Sequence, residues 1–246
     1  MSPSTMSIKT RIHGALRPLA NLVADKWFAH AMSYSAAGED QIALGWLETG
    51  FGIDITKARY CDIGANHPTE LNNTFLLYQL GASGVLVEPD PDLCDALARK
   101  RRRDIVLNVG VAFDERRSAS LRRLSGRVFN TFLTERADLV VEDSKAWQPY
   151  QRQEIIDDVE TALVPANDIL AEHFADGIDF LSIDAEGVDQ PILESIDFDR
   201  FRPRVICIEA SESLDPIMRS AGYERVARTP HNEIFRLINK GKINGS

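Results

Sequence analysis

Arg59-Tyr60-Cys61-Asp62-Ile63-Gly64-Ala65-Asn66-His67-Pro68 is the stretch on which the fold turns. A short apolar run reads as a buried strand and ends at Gly64. Beyond it, Leu71, Phe75 and Tyr78, with Leu76, Leu77 and Leu80, repeat at helical spacing up to Gly81. A strand that runs through a glycine turn towards a helix opens an α/β unit.

The alternation continues outward. Gly84 to Val87 reads as the next strand, and Asp90-Pro91 opens a helix with Asp as N-cap and Pro in the first turn. Leu93, Ala96 and Leu97 form the inner face of that helix, and Ile105 to Val111 is a third strand. Residues 113 to 160 are rich in Arg, Asp and Glu with weak periodicity, which predicts a strand-bearing insertion or lid with a short helix around Thr134 to Val141. Thr161 to Val164 reads as extended, Asn167 to Phe174 as helical, Ile178 to Ile183 as a buried strand, and Pro191 to Ile196 as a helix start. Val205 to Ile208 is a fifth strand, and a helix over Asp215 to Ala221 stops at Gly222. Tyr223 to Ala227 and Glu233 to Ile238, joined through Pro230-His231-Asn232, predict an antiparallel hairpin at one sheet edge. The pattern is that of a doubly wound α/β domain with a mainly parallel sheet and helices on both faces. Ligands of such sheets lie beyond the carboxyl ends of the strands.

The polar residues gather at those ends. After the first strand come Asp62, Gly64, Asn66 and His67. A dinucleotide site wants G-x-G-x-x-G and a pyrophosphate, but only the first glycine is present and Asp62 would repel phosphate. The same carboxylate suits a cofactor with a cationic amino-acid end and no phosphate, as in S-adenosylmethionine. Glu88, ending Gly84 to Glu88, stands where an acid accepts both ribose hydroxyls, a role shared by NAD and S-adenosylmethionine sites. Asn108 and Gly110 close the third strand, where an adenine edge would lie. Asp184 and Glu186 follow directly on a buried strand with Gly187 behind them, and Glu209 and Ser211 repeat the pattern after the fifth. Buried charges need partners, so these acids serve a ligand, a metal or a proton. Gly38-Glu39-Asp40, within Ser35 to Gln41, reads from physics alone as a capped helix start.

The chain has 246 residues, 44% hydrophobic and 26% charged, enough for one α/β domain with an N-terminal extension. Its net charge of -9 argues against a nucleic-acid partner. The one basic run, Arg99 to Arg103, reads as the solvated end of a helix. Cys61, Cys94 and Cys207 stand far apart without zinc spacing, which predicts buried thiols and a reducing cytoplasm. No apolar stretch is long enough to span a bilayer, and residues 8–32 do not read as a secretory signal. Residues 1–32 predict an amphipathic, mildly basic helical extension, with Ile12, Leu16 and Leu19 among Lys9, Arg11 and Arg17. Such a helix packs on its own domain, touches a membrane surface or supports a homodimer.

Taken together, five segments resemble the FkbM family of methyltransferases: Tyr34-Ser35 with Gly38-Glu39-Asp40; Asp62 to Pro68; Asn73-Thr74-Phe75 with Leu77-Tyr78; Gly81 to Pro91; and Asp184 to Gly187. The resemblance runs from about Ser33 to Leu237 and departs from the family's frequent Val at Ala185. It implies a Rossmann-like class I methyltransferase fold over residues 33–240, with a mainly parallel seven-stranded sheet and an antiparallel C-terminal hairpin. It implies S-adenosylmethionine as donor and O-methylation of a sugar, glycan or secondary metabolite, a small-molecule or glycan acceptor. It also makes Gly38, Glu39 and Asp40 a wall of the cofactor site. A hydroxyl is a poor nucleophile at neutral pH, so a base or a metal must help. Asp184 is the first choice, as base or as a ligand to Mg2+ together with Glu209; Glu186 and His67 come second. Asp62, Gly64, Asn66, Glu88, Asn108 and Gly110 are assigned to the cofactor. Two other readings stand beside this one. One is an NAD-dependent nucleotide-sugar oxidoreductase or epimerase, which lacks its glycines and a Tyr-x-x-x-Lys pair here. The other is a non-catalytic cofactor-binding module.

Overall fold

The computed structural model describes residues 32–210 and 212–238. The chain divides into two units, Met1–Met32 and Ser33–Ser246, and the second contains both β-sheets. The expected N-terminal helix and Ser211 lie outside the described residues.

The centre of the sheet is β1 (Arg59–Ile63), the strand read first from the sequence. It pairs in parallel with β2 (Ser83–Val87) on one side and β7 (Phe180–Ile183) on the other. With β3 (Ile105–Leu107), β8 (Val205–Glu209), β9 (Tyr223–Arg228) and β10 (Asn232–Leu237) the order is β3-β2-β1-β7-β8-β10-β9. β10 is antiparallel to both β8 and β9, so the C-terminal pair is the expected hairpin at the edge. All four residues of β7 are buried, as a central parallel strand covered on both faces requires.

Cys61, Ile63, Leu181, Ile183, Ile206 and Ile208 form the middle of the core. Helices α5 (Ala166–His173) and α6 (Asp189–Ser195) bring Ile169, Leu170, Ile192 and Leu193 to it. Two further helices carry the signals read from the sequence. In α3 (Pro91–Lys100) the Asp90 carboxylate caps the N-terminus, accepting from the Asp92 N–H at 2.9 Å. α7 (Asp215–Ser220) ends before Gly222, which adopts φ +87°. The three cysteines are free, buried thiols. Among the described residues no helix is long and apolar enough to cross a membrane.

Three local expectations change. The helix expected from Leu71 starts only at Phe75, as α2 (Phe75–Gln79). Leu71 is exposed with φ +50°, because the Asn72 and Thr74 side chains bond to their own neighbourhood and hold the chain out of a helix. The third strand breaks at Asn108-Val109 into β3 and β4 (Gly110–Ala112). The Asn108 amide donates to the carbonyls of Glu88 and Pro89, at 3.0 and 2.9 Å, which turns the chain out of the main sheet. β4 then joins a second sheet, β4-β6-β5, with β5 (Ser118–Leu124) antiparallel to the long β6 (Ile155–Pro165). Finally, Arg101 is not a solvated helix end but fully buried. Its guanidinium meets Asp104, Tyr60, Thr74 and Asn72, a set of partners drawn from separate segments.

Between β5 and β6 the acidic and basic stretch folds into α4 (Thr134–Ser144) and its flanking turns. Arg123 and Arg127 tie this region to the start of α3 through Asp90 and Asp92, at 2.8 to 3.3 Å. The region therefore stands over the carboxyl ends of β1 and β2.

Candidate functional site

A cavity of about 380 Å³ opens at the carboxyl ends of β1, β2 and β7. Its polar wall is Gly64, Asn66 and His67 after β1, Glu88 after β2, and Asp184 and Glu186 after β7. Its apolar wall includes Val87, Leu93, Val109, Val111 and Phe132, with Gly110 between the two valines. This volume, with mostly apolar walls and a few convergent polar groups, is that of a small-molecule site.

Glu88 is buried at the cavity floor. One carboxylate oxygen accepts from the Asn66 N–H and the other from the Asp90 N–H, both at 2.8 Å. Each oxygen keeps a lone pair for a further donor. Burial pushes the carboxyl up to about 7, against the two backbone donors. Asn66 reaches this position with φ +49°, a left-handed conformation that Asn tolerates better than most residues. The space directly after β1 is not capped by the N-terminus of the next helix, since α2 begins eleven residues past Gly64. The pyrophosphate seat of a dinucleotide site is missing there, in line with the absent glycines.

Sequence comparison points the same way. A model of the methyltransferase FkbM domain matches residues 62–234. The chain belongs to the FkbM methyltransferase family. It is thereby an S-adenosylmethionine-dependent methyltransferase. No curated protein matches it. Among solved structures it is similar to the FkbM methyltransferase of Methylobacillus flagellatus KT, at 13% identity and a TM-score of 0.44. That match covers 89% of this chain and 52% of the other, so the chain spans about half of that protein's length. It is also similar to an O-methyltransferase from Bacillus cereus (11% identity, TM-score 0.41, 92% and 97% covered). A third similar structure is a putative RNA methyltransferase from Pyrococcus horikoshii (15%, 0.39, 81% and 84%).

In this FkbM methyltransferase the expected site residues fall into two groups. Gly64, Asn66, His67, Glu88, Gly110, Asp184 and Glu186 line the cavity together. Gly38, Glu39, Asp40, Asp62, Asn108 and Glu209 do not. Asp40 accepts from the Ser33 hydroxyl and the Tyr34 N–H, both at 2.7 Å, and from the Ser35 hydroxyl at 3.0 Å. Glu39 accepts from Thr229 in the β9–β10 turn and from Asn232 at the start of β10, at 2.7 and 3.1 Å. These two buried acids at the start of α1 (Glu39–Gly45) hold the segment before it against the hairpin. Asp62 lies beneath the cavity floor and accepts from Thr74 at 2.7 Å. Burial raises its carboxyl, while Thr74 and Arg101 oppose the rise. Asn108 serves the break between β3 and β4.

The acid group after β7 is the most perturbed. Burial, then Glu209, Glu186 and Asp189, hold the Asp184 carboxyl well above the ordinary carboxylate range. Glu209 is pushed up to about 7 by burial and by Glu186 and Asp189. Glu186 is raised by burial and lowered by Arg136, whose guanidinium donates to it at 2.7 Å. His67 spends Nδ1 as acceptor for the Glu70 N–H at 3.0 Å and the Thr69 N–H at 3.3 Å. In the neutral ring that leaves the proton on Nε2, so the imidazole has no free lone pair for a substrate proton.

Glu70, Arg127 and Asn130 line the cavity without having been assigned from the sequence, and two further residues that set the acid group escape it too. Asp189 accepts from the backbone N–H groups of Ala185 and Gly187 at 2.6 and 3.0 Å and so shapes the loop carrying Asp184 and Glu186. An acid five residues past Asp184, just before Gln190-Pro191, is a readable helix-start signal. Arg136 carries no site signal, being fifty residues from the acid it pairs with and inside a stretch of weak periodicity.

Proposed function

We propose that this enzyme transfers the methyl group of S-adenosylmethionine to a hydroxyl oxygen of a sugar, glycan or secondary metabolite, in the cytoplasm. The observation that carries the reading is Asp184, a half-buried carboxyl raised by desolvation and by its acidic neighbours and lining the cavity that Glu88 floors. The bound cofactor supplies an electrophilic methyl carbon on sulfur. Glu88 would accept the ribose hydroxyls, and Leu93, Val109 and Val111, which line the same cavity, would cover the base. Gly64, Asn66 and Gly110 keep the backbone close to the ligand. Asp184 would take the hydroxyl proton as the acceptor oxygen attacks the methyl carbon that the cofactor would supply, the sulfonium sulfur being the leaving group. A base raised towards the working pH holds a proton more firmly, which is what an alcohol demands. Glu186, beside Asp184 in the cavity wall, orients the hydroxyl.

The chemistry of the acid cluster does not call for Mg2+. Asp184, Asp189 and Glu209 bring one carboxylate oxygen each within 4.8 Å of one another. Asp189, however, already accepts a backbone N–H at each oxygen, and the Arg136 guanidinium, 3.9 Å from Glu209, supplies a positive charge to the cluster.

Isothermal titration with S-adenosylhomocysteine, beside NAD and with and without magnesium, tests the donor. Transfer of labelled methyl from the cofactor to a panel of free polyols tests the acceptor. Binding of S-adenosylhomocysteine with label appearing only on amines or thiols would remove the hydroxyl reading and leave the donor.

A further inference from the structure

A second cavity, of about 590 Å³, opens beside the first at the same end of the sheet. Its walls include Gly187 and Asp189, Glu194 on α6, Glu209 and Ala210 at the end of β8, and Arg136 from α4. The cofactor reading makes no use of it. The two cavities meet at consecutive residues, Glu186 walling the first and Gly187 the second. At that boundary stands an ion pair, Arg136 Nη2 to Glu186 Oε2 at 2.7 Å.

The surroundings are built around that pair. A side chain at Gly187 would put its Cβ 2.9 Å from Arg136 Cδ, so the glycine lets the arginine pass. Glu186 is held at φ +51°, a conformation that costs a non-glycine residue about 1 kcal/mol or more. The Thr131 hydroxyl donates to its carbonyl oxygen at 2.9 Å. Thr131 and Arg136 both come from the region between β5 and β6. The guanidinium itself is under-bonded. Its Nε is buried without a hydrogen-bond partner, and Glu209 at 3.9 Å is beyond hydrogen-bond reach. A ligand oxygen therefore improves on the arrangement seen here.

Resting on the first cavity being the cofactor's, we propose that the second cavity holds the methyl acceptor, that the Arg136–Glu186 pair is the gate between the two, and that the acceptor is a polyol bearing no anionic group. In-line transfer needs the acceptor oxygen beside the methyl carbon, and a side-chain pair that can part stands between these two spaces. Arg136 moves off Glu186 onto an acceptor oxygen, and the reacting hydroxyl passes to Asp184. The charge of the walls sets the class of acceptor. Asp189, Glu194, Glu209 and Glu212 accept from hydroxyls, whereas a phosphate or carboxylate there meets four acids against the single Arg136 guanidinium.

The test is saturation-transfer NMR on the full chain saturated with S-adenosylhomocysteine, with D-glucose, D-glucosamine and D-glucose 6-phosphate as probes. The expected result is transfer to glucose and glucosamine, and transfer about fivefold weaker to the phosphate. Ala210→Trp, which fills the cavity, abolishes the sugar signals and keeps S-adenosylhomocysteine affinity within about twofold. Glu194→Arg, on an exposed helix position, restores the phosphate signal. Equal signals from all three probes, sugar signals that survive Ala210→Trp, or no sugar signal in cofactor-bound protein each overturn the proposal. Failure to bind S-adenosylhomocysteine at all overturns the cofactor reading and this one with it, which separates the two.

Discussion

A methyl group at Gly64 would stand 1.8 Å from the carbonyl oxygen of Asp184. The turn after β1 and the turn after β7 thus press backbone on backbone, and the same contact sets the floor of the cavity beside the acid that we assign as base. Gly64 also holds φ +80°, which favours glycine.

Gly64→Ala is accordingly expected to lower the unfolding free energy by about 3 kcal/mol, the strain of the left-handed backbone adding to the overlap. Urea denaturation measures this. A loss below about 0.5 kcal/mol would mean that the two turns yield easily.

Cofactor affinity should follow the ionisation of Glu88. Ribose hydroxyls donate to a carboxylate, so binding favours the ionised form of a group pushed up to about 7. The affinity for S-adenosylhomocysteine should therefore rise between about pH 6 and 8 and then level off. Glu88→Ala should flatten the profile and weaken binding by about thirtyfold or more, as loss of charge-assisted hydrogen bonds predicts. Titration calorimetry across that range decides it; a wild-type affinity independent of pH contradicts the role.

The free enzyme should carry the opposite pH signature in stability. Glu209 is raised from 4.5 to about 7, so the folded state keeps a proton that the unfolded chain releases above about pH 4.5. Stability contributed by the protonated form is present below that pH and is lost as pH climbs through about 7. Glu209→Gln should stabilise the apo protein by roughly 2 kcal/mol at about pH 8 and leave it unchanged near pH 4. Chemical denaturation at the two pH values is the measurement, and equal effects at both would refute the assignment.

Asp184→Asn should separate binding from turnover. Label transfer to a hydroxyl acceptor should slow by about a hundredfold or more, the span of general-base catalysis, with S-adenosylhomocysteine affinity within about twofold of wild type. Turnover that persists at near wild-type rate would move the base elsewhere.

Arg101 makes a prediction about the fold alone. It donates to Asp104, Tyr60 and Thr74 at 2.8, 2.9 and 3.0 Å, and Thr74 in turn donates to Asp62. Removing a buried cation leaves these acids uncompensated, so Arg101→Met should cost about 3–5 kcal/mol. Arg101→Lys should not restore it, since the three donors of an ammonium leave from a single nitrogen, whereas the partners of Arg101, Asn72 included, are met from Nε, Nη1 and Nη2. Thermal unfolding of both variants checks the pair.

Much of this was legible along the chain because its signals are local. Strand β1 ending at Gly64, the Asp90-Pro91 helix start and the closing hairpin each depend on residues within a few positions of one another. Once the strands are known to be parallel, their carboxyl ends share one edge, and Gly64, Glu88 and Asp184 must come together there. What the chain could not show is which acids face the cavity. Glu39, Asp40 and Asp62 have the same residue types as Glu88 and Asp184, yet packing gives them hydroxyl and amide partners and takes them out of the wall. Arg101 reads as a surface charge until Tyr60, Thr74 and Asp104 close around it. Arg136 has weak periodic context, and only the folding of the region between β5 and β6 over the strand ends sets it against Glu186. Periodicity and turn chemistry are properties of neighbours in sequence; the partner of a charge is a property of neighbours in space, and that the tertiary structure alone decides.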